Sequence, residues 1–349
     1  MADRRMAVQP SGGRGRRGGA LVVTSERFEN IMIEQRRGNI DYDESGQGPT
    51  IVLVPGSCST GAAWRPIVSR WQNRFRCVTT SLLGYGGTAE RRTMIDSDIG
   101  HEAEILEAVI RRAACPVHLV GHSFGGLSAL AVALRNKVPL LSLAILEAPA
   151  PEILRQMGEY TQYRAIREMT DIYFSLFQAG DRNAIEQMID FYGGAGTFAG
   201  WPPRVRHYAT ETTGANILDW ASAYGCQLTR ASFAKIDIPS LVLWGENSHP
   251  AIRRTNQLLA QCTKASAVTI GGAAHFMIST HADEVAWVLA RHVSAQTRPH
   301  LMPSVPIRDL ADLPGCRAPF TKAGASQAYL KGIWIKNRNS LKVLLRRNG

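Results

Sequence analysis

The sequence predicts an α/β fold: a mostly parallel sheet flanked by helices, with a helical segment inserted between two of its strands. Three observations carry that prediction. Short, continuously apolar runs end in Gly-containing turns, amphipathic helical stretches fall between them, and the alternation stops between about residues 151 and 232. Continuous apolar strands alternating with one-faced helices suit a parallel sheet covered on both faces. The chain's 349 residues, 45% of them hydrophobic, are enough to bury such a core.

Residues 1–20 hold five Arg against one Asp and read as a disordered basic tail. Strand-like material follows in residues 28–43, where Asn39-Ile40-Asp41-Tyr42-Asp43 alternates as a half-exposed strand should. Ile51-Val52-Leu53-Val54 is the first buried run and ends in Pro55-Gly56. Cys77-Val78-Thr79-Thr80 leads to a loop holding Gly84-Tyr85-Gly86-Gly87. Glu102–Arg112 then shows helical spacing, with Ile105, Val109 and Ile110 on one side. Val117-His118-Leu119-Val120 ends in Gly121, and Leu143-Ala144-Ile145-Leu146 ends in Glu147-Ala148-Pro149. Beyond the break, Leu241-Val242-Leu243-Trp244 ends in Gly245, and Ala267-Val268-Thr269-Ile270 ends in Gly271-Gly272.

The break itself is helical in period and rich in aromatics, among them Tyr173, Tyr192, Trp201 and Trp220, with a flexible Gly193-Gly194-Ala195-Gly196 turn. Residues 151–232 are therefore expected to form a helical cap, most of whose aromatics make its own small core. The sheet domain is expected over residues 21–150 and 233–295. Residues 296–349 form a Pro-rich, basic C-terminal extension with no assigned chemistry.

The formal charge of +11 is unevenly placed. Residues 295–349 hold ten Lys or Arg against two Asp, so with the basic N-terminus the tails account for the whole excess and the body is near neutral. A nucleic-acid-binding fold carries its basic face on the folded body, so no nucleic-acid partner is expected; the tails can at most adhere weakly to anionic surfaces. Six widely spaced cysteines without a Cys-x-x-Cys pair read as reduced thiols, neither a disulfide framework nor a zinc site. Ala20-Leu21-Val22-Val23 is too short for a signal segment, and no run approaches a membrane span. The expectation is a soluble, cytoplasmic protein without membrane insertion.

Gly121-His122-Ser123-Phe124-Gly125-Gly126 follows a buried strand and precedes the helical stretch Leu127–Leu134. That setting gives Gly-x-Ser-x-Gly its meaning. A nucleophilic Ser needs a sharp strand-to-helix turn that pushes its hydroxyl outward, and residues two positions away must be tiny or collide with the next strand. The helix N-terminus supplies unpaired N–H groups for a developing oxyanion. Ser123 is the candidate nucleophile.

With these features the chain resembles the α/β-hydrolase superfamily over roughly residues 25–294. The resemblance implies that Val54-Pro55-Gly56-Ser57 is the oxyanion loop, with the N–H of Ser57 and that of Phe124 as donors. Pro55 stands where His is common, which bears on the outer hydrogen bonding of that loop. The resemblance places the base after the last strand, where Gly271-Gly272-Ala273-Ala274-His275-Phe276 offers His275. His122, His249 and His281 are weaker candidates. The acid is expected in a Gly-x-x-Asp run, but Gly245-Glu246-Asn247-Ser248 ends in Ser. Glu147, at an earlier strand end, is favoured over Glu246. Cys58, His122, Trp201 and Phe276 are the candidate substrate-binding residues.

A Ser nucleophile points to acyl transfer through an acyl-enzyme on a small, largely apolar ester-like substrate, in the esterase, lactonase or thioesterase class. It argues against haloalkane dehalogenases and epoxide hydrolases, architectural relatives that need Asp at the elbow. The alternatives are a non-catalytic small-ligand-binding protein on the same fold, which the missing Asp at Ser248 would favour, and a C–C bond or amide hydrolase. No cofactor or metal is implied, since neither a phosphate-cradling run nor a ligand cluster with metal spacing is present.

Overall fold

The computed structural model describes residues 39–114, 116–296 and 316–317. Apart from residues 296 and 316–317, both predicted tails lie outside the described residues, as does the strand expected before residue 39.

The sheet is built from β1 (Asp43–Ser45), β2 (Thr50–Val54), β3 (Arg76–Thr79), β4 (Val117–His122), β5 (Leu140–Leu146), β6 (Ser240–Gly245), β7 (Ser266–Ile270) and β8 (Cys316–Arg317). Their order across the sheet is β1-β3-β2-β4-β5-β6-β7-β8. β3 through β7 pair in parallel, whereas β1 and β8 lie antiparallel on the two edges. The sheet departs from expectation at both edges. β8 comes from the C-terminal extension expected to lie outside the sheet domain, yet it pairs with β7 through Ile270 and Cys316. The start differs as well. Asn39–Tyr42 is not a strand, and the short edge strand begins at Asp43 with all three residues exposed. Asp41 is occupied instead by a loop: its carboxylate accepts from Ser81 Oγ at 2.7 Å and the Gly87 N–H at 2.8 Å.

Strand alternation divides the core into two layers. Val52 and Val54 face the layer shared with helices Gly100–Ala113, Phe124–Arg135 and Pro250–Thr263, while Ile51 and Leu53 face the layer of Trp64, Ile67 and helix Ala282–Gln296. Neighbouring residues on a strand point to opposite faces, so a continuous apolar run is what a doubly covered strand needs. Trp71 ties the second layer together by donating its indole N–H to the Ala286 carbonyl at 2.9 Å.

Between β5 and β6 the chain is helical, from Pro151–Gln156 through Tyr160–Gln178, Ile185–Gly193, Pro203–Glu211 and Thr213–Gly225 to Arg230–Phe233. Tyr173, Tyr192 and Trp220 are buried there, whereas Tyr160 is exposed. Among the described residues, no helix is long and apolar enough to cross a membrane.

Candidate active site

Five strand ends converge at the carboxyl edge of the sheet, where open α/β sheets hold their ligands. β2 runs into Gly56 and Ser57, β4 into Ser123, β5 into Glu147, β6 into Ser248 and β7 into His275.

Ser123 sits at φ 55° and ψ −129°, immediately before helix Phe124–Arg135. A non-Gly residue holds that conformation only where its surroundings over-determine it. Here its N–H donates to the Leu146 carbonyl at 2.8 Å, and its own carbonyl accepts from the N–H of Gly126 at 2.8 Å. The flanking glycines are required, for two different reasons. A Cβ on Gly125 would lie 2.2 Å from the Pro55 carbonyl oxygen, against the end of the neighbouring strand as expected. A Cβ on Gly121 would lie 2.2 Å from the Gly125 carbonyl oxygen, so it would strike the first turn of the following helix and not a strand.

The loop after β2 passes directly over this turn. A Cβ on Gly56 would be 2.8 Å from Ser123 Cβ and 3.4 Å from its Oγ. Ser57, in that loop, and Phe124, at the helix start, line the same cavity as Ser123. Among the described residues no acceptor takes either backbone N–H, and Phe124 stands where a helix leaves its N–H groups unpaired.

His275 lies between the hydroxyl and a carboxylate. Its Nε2 is 2.9 Å from Ser123 Oγ and its Nδ1 is 2.7 Å from Glu147 Oε2. The carboxylate can only accept, so Nδ1 carries the proton and Nε2 is free to accept from the Ser123 hydroxyl. His275 is 3% exposed and Glu147 fully buried, so water screens neither contact. Glu147 is itself left-handed at φ 51°. Its N–H donates to the Leu243 carbonyl at 3.1 Å, and its Oε1 accepts from the Gly245 N–H at 2.7 Å and from the Ser248 hydroxyl.

The other candidates fall elsewhere. Glu246 turns outward and accepts from the Gly272 N–H at 3.0 Å. His249 caps helix Pro250–Thr263 by accepting from the Ala251 N–H, and His281 pairs with Thr280 at the surface. His122 is 4.8 Å from the His275 ring, centroid to centroid, and donates through Nε2 to the His275 carbonyl at 2.9 Å. Burial, reinforced by the neighbouring His275, pulls its pKa down to about 3, so it stays neutral beside the His275 ring. Sequence reasoning registered Ser248 only as the residue that is not Asp. Its role as a donor to Glu147 depends on a carboxylate 101 residues away.

A cavity of about 760 Å³ opens onto Ser123 and His275. Cys58, His122, Trp201 and Phe276 all line it, joined by Tyr192 and Trp220 from the helices between β5 and β6. The Tyr192 ring lies tilted at 4.0 Å from the His275 ring, centroid to centroid, and Trp201 meets Phe276 edge-on at 5.1 Å. Burial pushes the Cys58 thiol up to about 12, which keeps it protonated. Among the described residues no group of three or more His, Cys, Asp or Glu side chains could hold a metal ion.

Residues 51–286 match the model of the Alpha/beta hydrolase family. Haloalkane dehalogenase 2 of Mycobacterium tuberculosis is 31% identical over 110 residues, covering 31% of this chain and 38% of that protein. Protein phosphatase methylesterase 1 of Bos taurus is 26% identical over 154 residues, 40% of each chain. The chain thus spans about two fifths of the length of the curated relatives it matches. Among solved structures, an alpha/beta hydrolase from Sphaerobacter thermophilus superposes with a TM-score of 0.55 at 25% identity, covering 72% of this chain and 95% of that one.

Proposed function

Because the chain belongs to the alpha/beta hydrolase family, we propose that it is a serine hydrolase that cleaves a small, largely apolar ester-like substrate through an acyl-enzyme. One observation carries the reading: the unbroken line from Ser123 Oγ to His275 Nε2 and from Nδ1 to Glu147 Oε2, at 2.9 and 2.7 Å.

In this reading Ser123 Oγ attacks the carbonyl carbon while its proton passes to His275 Nε2. Glu147 stabilises the imidazolium that results and keeps the ring in the productive tautomer. The carbonyl oxygen becomes an oxyanion held by the N–H groups of Ser57 and Phe124. Collapse breaks the bond to the leaving oxygen, which departs with the proton from His275. A water molecule then gives a proton to His275 and attacks the acyl-Ser123 ester, and Ser123 leaves with that proton restored. Residues 151–232 serve as the cap, whose Tyr192, Trp201 and Trp220 shape the acyl pocket; no cofactor takes part. The dehalogenase relative's name does not carry its reaction over. Displacing halide from carbon needs a carboxylate at position 123, where this chain has Ser. The ligand-binding alternative drew on Ser248 standing where Asp is expected; with Ser248 donating to Glu147, that position supports the catalytic reading instead.

The test is hydrolysis of short-chain p-nitrophenyl esters, with lactone and thioester panels alongside. Ser123→Ala should abolish turnover and labelling by a fluorophosphonate probe. Turnover that survives this substitution would overturn the reading.

A further inference from the structure

Beside the oxyanion loop lies a second cluster of buried charges, which the proposed steps do not use. Asp219, on helix Thr213–Gly225, is 2% exposed, and the side chains of Arg92 and Glu102 are fully buried. Asp219 Oδ2 accepts from Ser57 Oγ at 2.5 Å and from the Tyr85 hydroxyl at 2.6 Å, while Oδ1 accepts from Arg92 Nη1 at 2.8 Å. Arg92 in turn is 3.2 Å from Glu102 Oε1 and 2.7 Å from Glu90 Oε2, and donates to the Leu83 carbonyl at 3.2 Å. Its guanidinium also stands 5.9 Å from the centroid of the Phe124 ring.

The cluster therefore touches the side chains of both residues assigned above as oxyanion donors. Ser57 belongs to the core loop after β2, yet its hydroxyl is bonded 162 residues away, on a helix of the inserted segment. A carboxylate beside a developing oxyanion would oppose it unless its charge were matched. Arg92 supplies the match. Burial raises the Glu102 carboxyl to about 8, so at neutral pH it is mostly protonated. The Glu90 side chain, 26% exposed, is partly screened by water, which leaves Arg92 as the buried partner of Asp219. An oxyanion donor works only at the distance set by its backbone, so a loop that drifts loses rate before it loses substrate.

We infer that Asp219, neutralised by Arg92, is a positioning residue that tethers Ser57 and so makes acyl transfer depend on how the inserted helices are docked. The tether rests on the serine-hydrolase reading above. Ser57→Ala keeps the backbone N–H and leaves Asp219 bonded to Tyr85 and Arg92, so it removes the tether with little threat to folding. Its kcat should fall about tenfold, a fraction of the loss expected when a donor is deleted outright, with KM changed less than about twofold. Affinity for a trifluoromethyl ketone, which forms a tetrahedral oxyanion on Ser123, should fall by the same factor as kcat/KM. Ser57→Thr, which retains a hydroxyl, should restore most of both. Asp219→Asn should lower kcat further, because an amide cannot accept on both sides.

A purely structural anchor would lower the melting temperature of Asp219→Asn and leave kcat and ketone affinity in Ser57→Ala within twofold of the wild type. That result, in a protein whose ester hydrolysis depends on Ser123, would overturn the tether alone. Wild-type protein without Ser123-dependent hydrolysis would overturn the serine-hydrolase reading and the tether with it.

Discussion

Replacing Glu147 by Gln changes one atom and should disable the site, for a reason the hydrogen bonds make explicit. Glu147 Oε1 accepts from the Gly245 N–H at 2.7 Å and from the Ser248 hydroxyl, so the amide oxygen of Gln must take that side. Its NH2 then faces His275 Nδ1, which stands 2.7 Å from the carboxylate oxygen it replaces. Two donors cannot face each other, so Nδ1 must give up its proton and Nε2 must carry it. Nε2 is the atom 2.9 Å from Ser123 Oγ, and once protonated it cannot accept the hydroxyl proton. The buried negative charge that stabilises the imidazolium is lost as well. For a triad acid such an exchange lowers kcat about 10⁴-fold, or about 5 kcal/mol of transition-state stabilisation. Steady-state hydrolysis of p-nitrophenyl butyrate, with circular dichroism to verify folding, measures the effect. Glu246→Gln is the control and should stay within about threefold of the wild type, since Glu246 bonds only a surface loop. Folded Glu147→Gln with more than about a tenth of wild-type kcat, or a larger loss in Glu246→Gln, would refute the assignment.

Ser248→Ala removes one hydrogen bond to the buried carboxylate and leaves the Gly245 donor in place. A bond to a charged group contributes about 1.5–3 kcal/mol, so kcat should fall roughly ten- to a hundredfold while KM holds; unchanged kcat would show that Gly245 alone orients Glu147. Gly56→Ala brings a Cβ to 2.8 Å from Ser123 Cβ. It should suppress fluorophosphonate labelling in a protein that still folds, and wild-type labelling rates would show that the loop gives way without cost. Burial pulls His118 and His292 from 6.5 down to about 4, so the folded protein resists protons that the unfolded chain binds. Their stabilising contribution is complete above about pH 6.5 and is lost as pH falls toward 4. Urea midpoints should drop between pH 7 and 5, and less steeply in His118→Gln; identical slopes in the two proteins would contradict this origin.

The contrast between Ser123 and Glu147 separates what the chain states locally from what folding decides. The turn at Ser123 was legible because its requirements are local: an apolar strand, glycines two residues to either side, and a helix start all lie within a few positions. The six central strands were legible for the same reason, since burial on both faces demands continuous apolar runs. His275 needed one further step, its place after the last such run. Glu147 was a choice between two strand ends, because a carboxylate's partner is set by which strands become neighbours. β5 lies between β4 and β6 in the sheet, which places Glu147 between Ser123 and Ser248. The short edge strand was misplaced because alternation over five residues cannot show that Asp41 is claimed by the loop at Ser81 and Gly87. The Asp219–Arg92–Ser57 cluster gave no sequence signal at all. Its members come from three distant segments, and their charges are tolerable in the interior only because folding brings them within hydrogen-bonding distance. Local stereochemistry determined the strand-to-helix turn at Ser123 and the central strands; only the tertiary structure decided which buried charges answer one another.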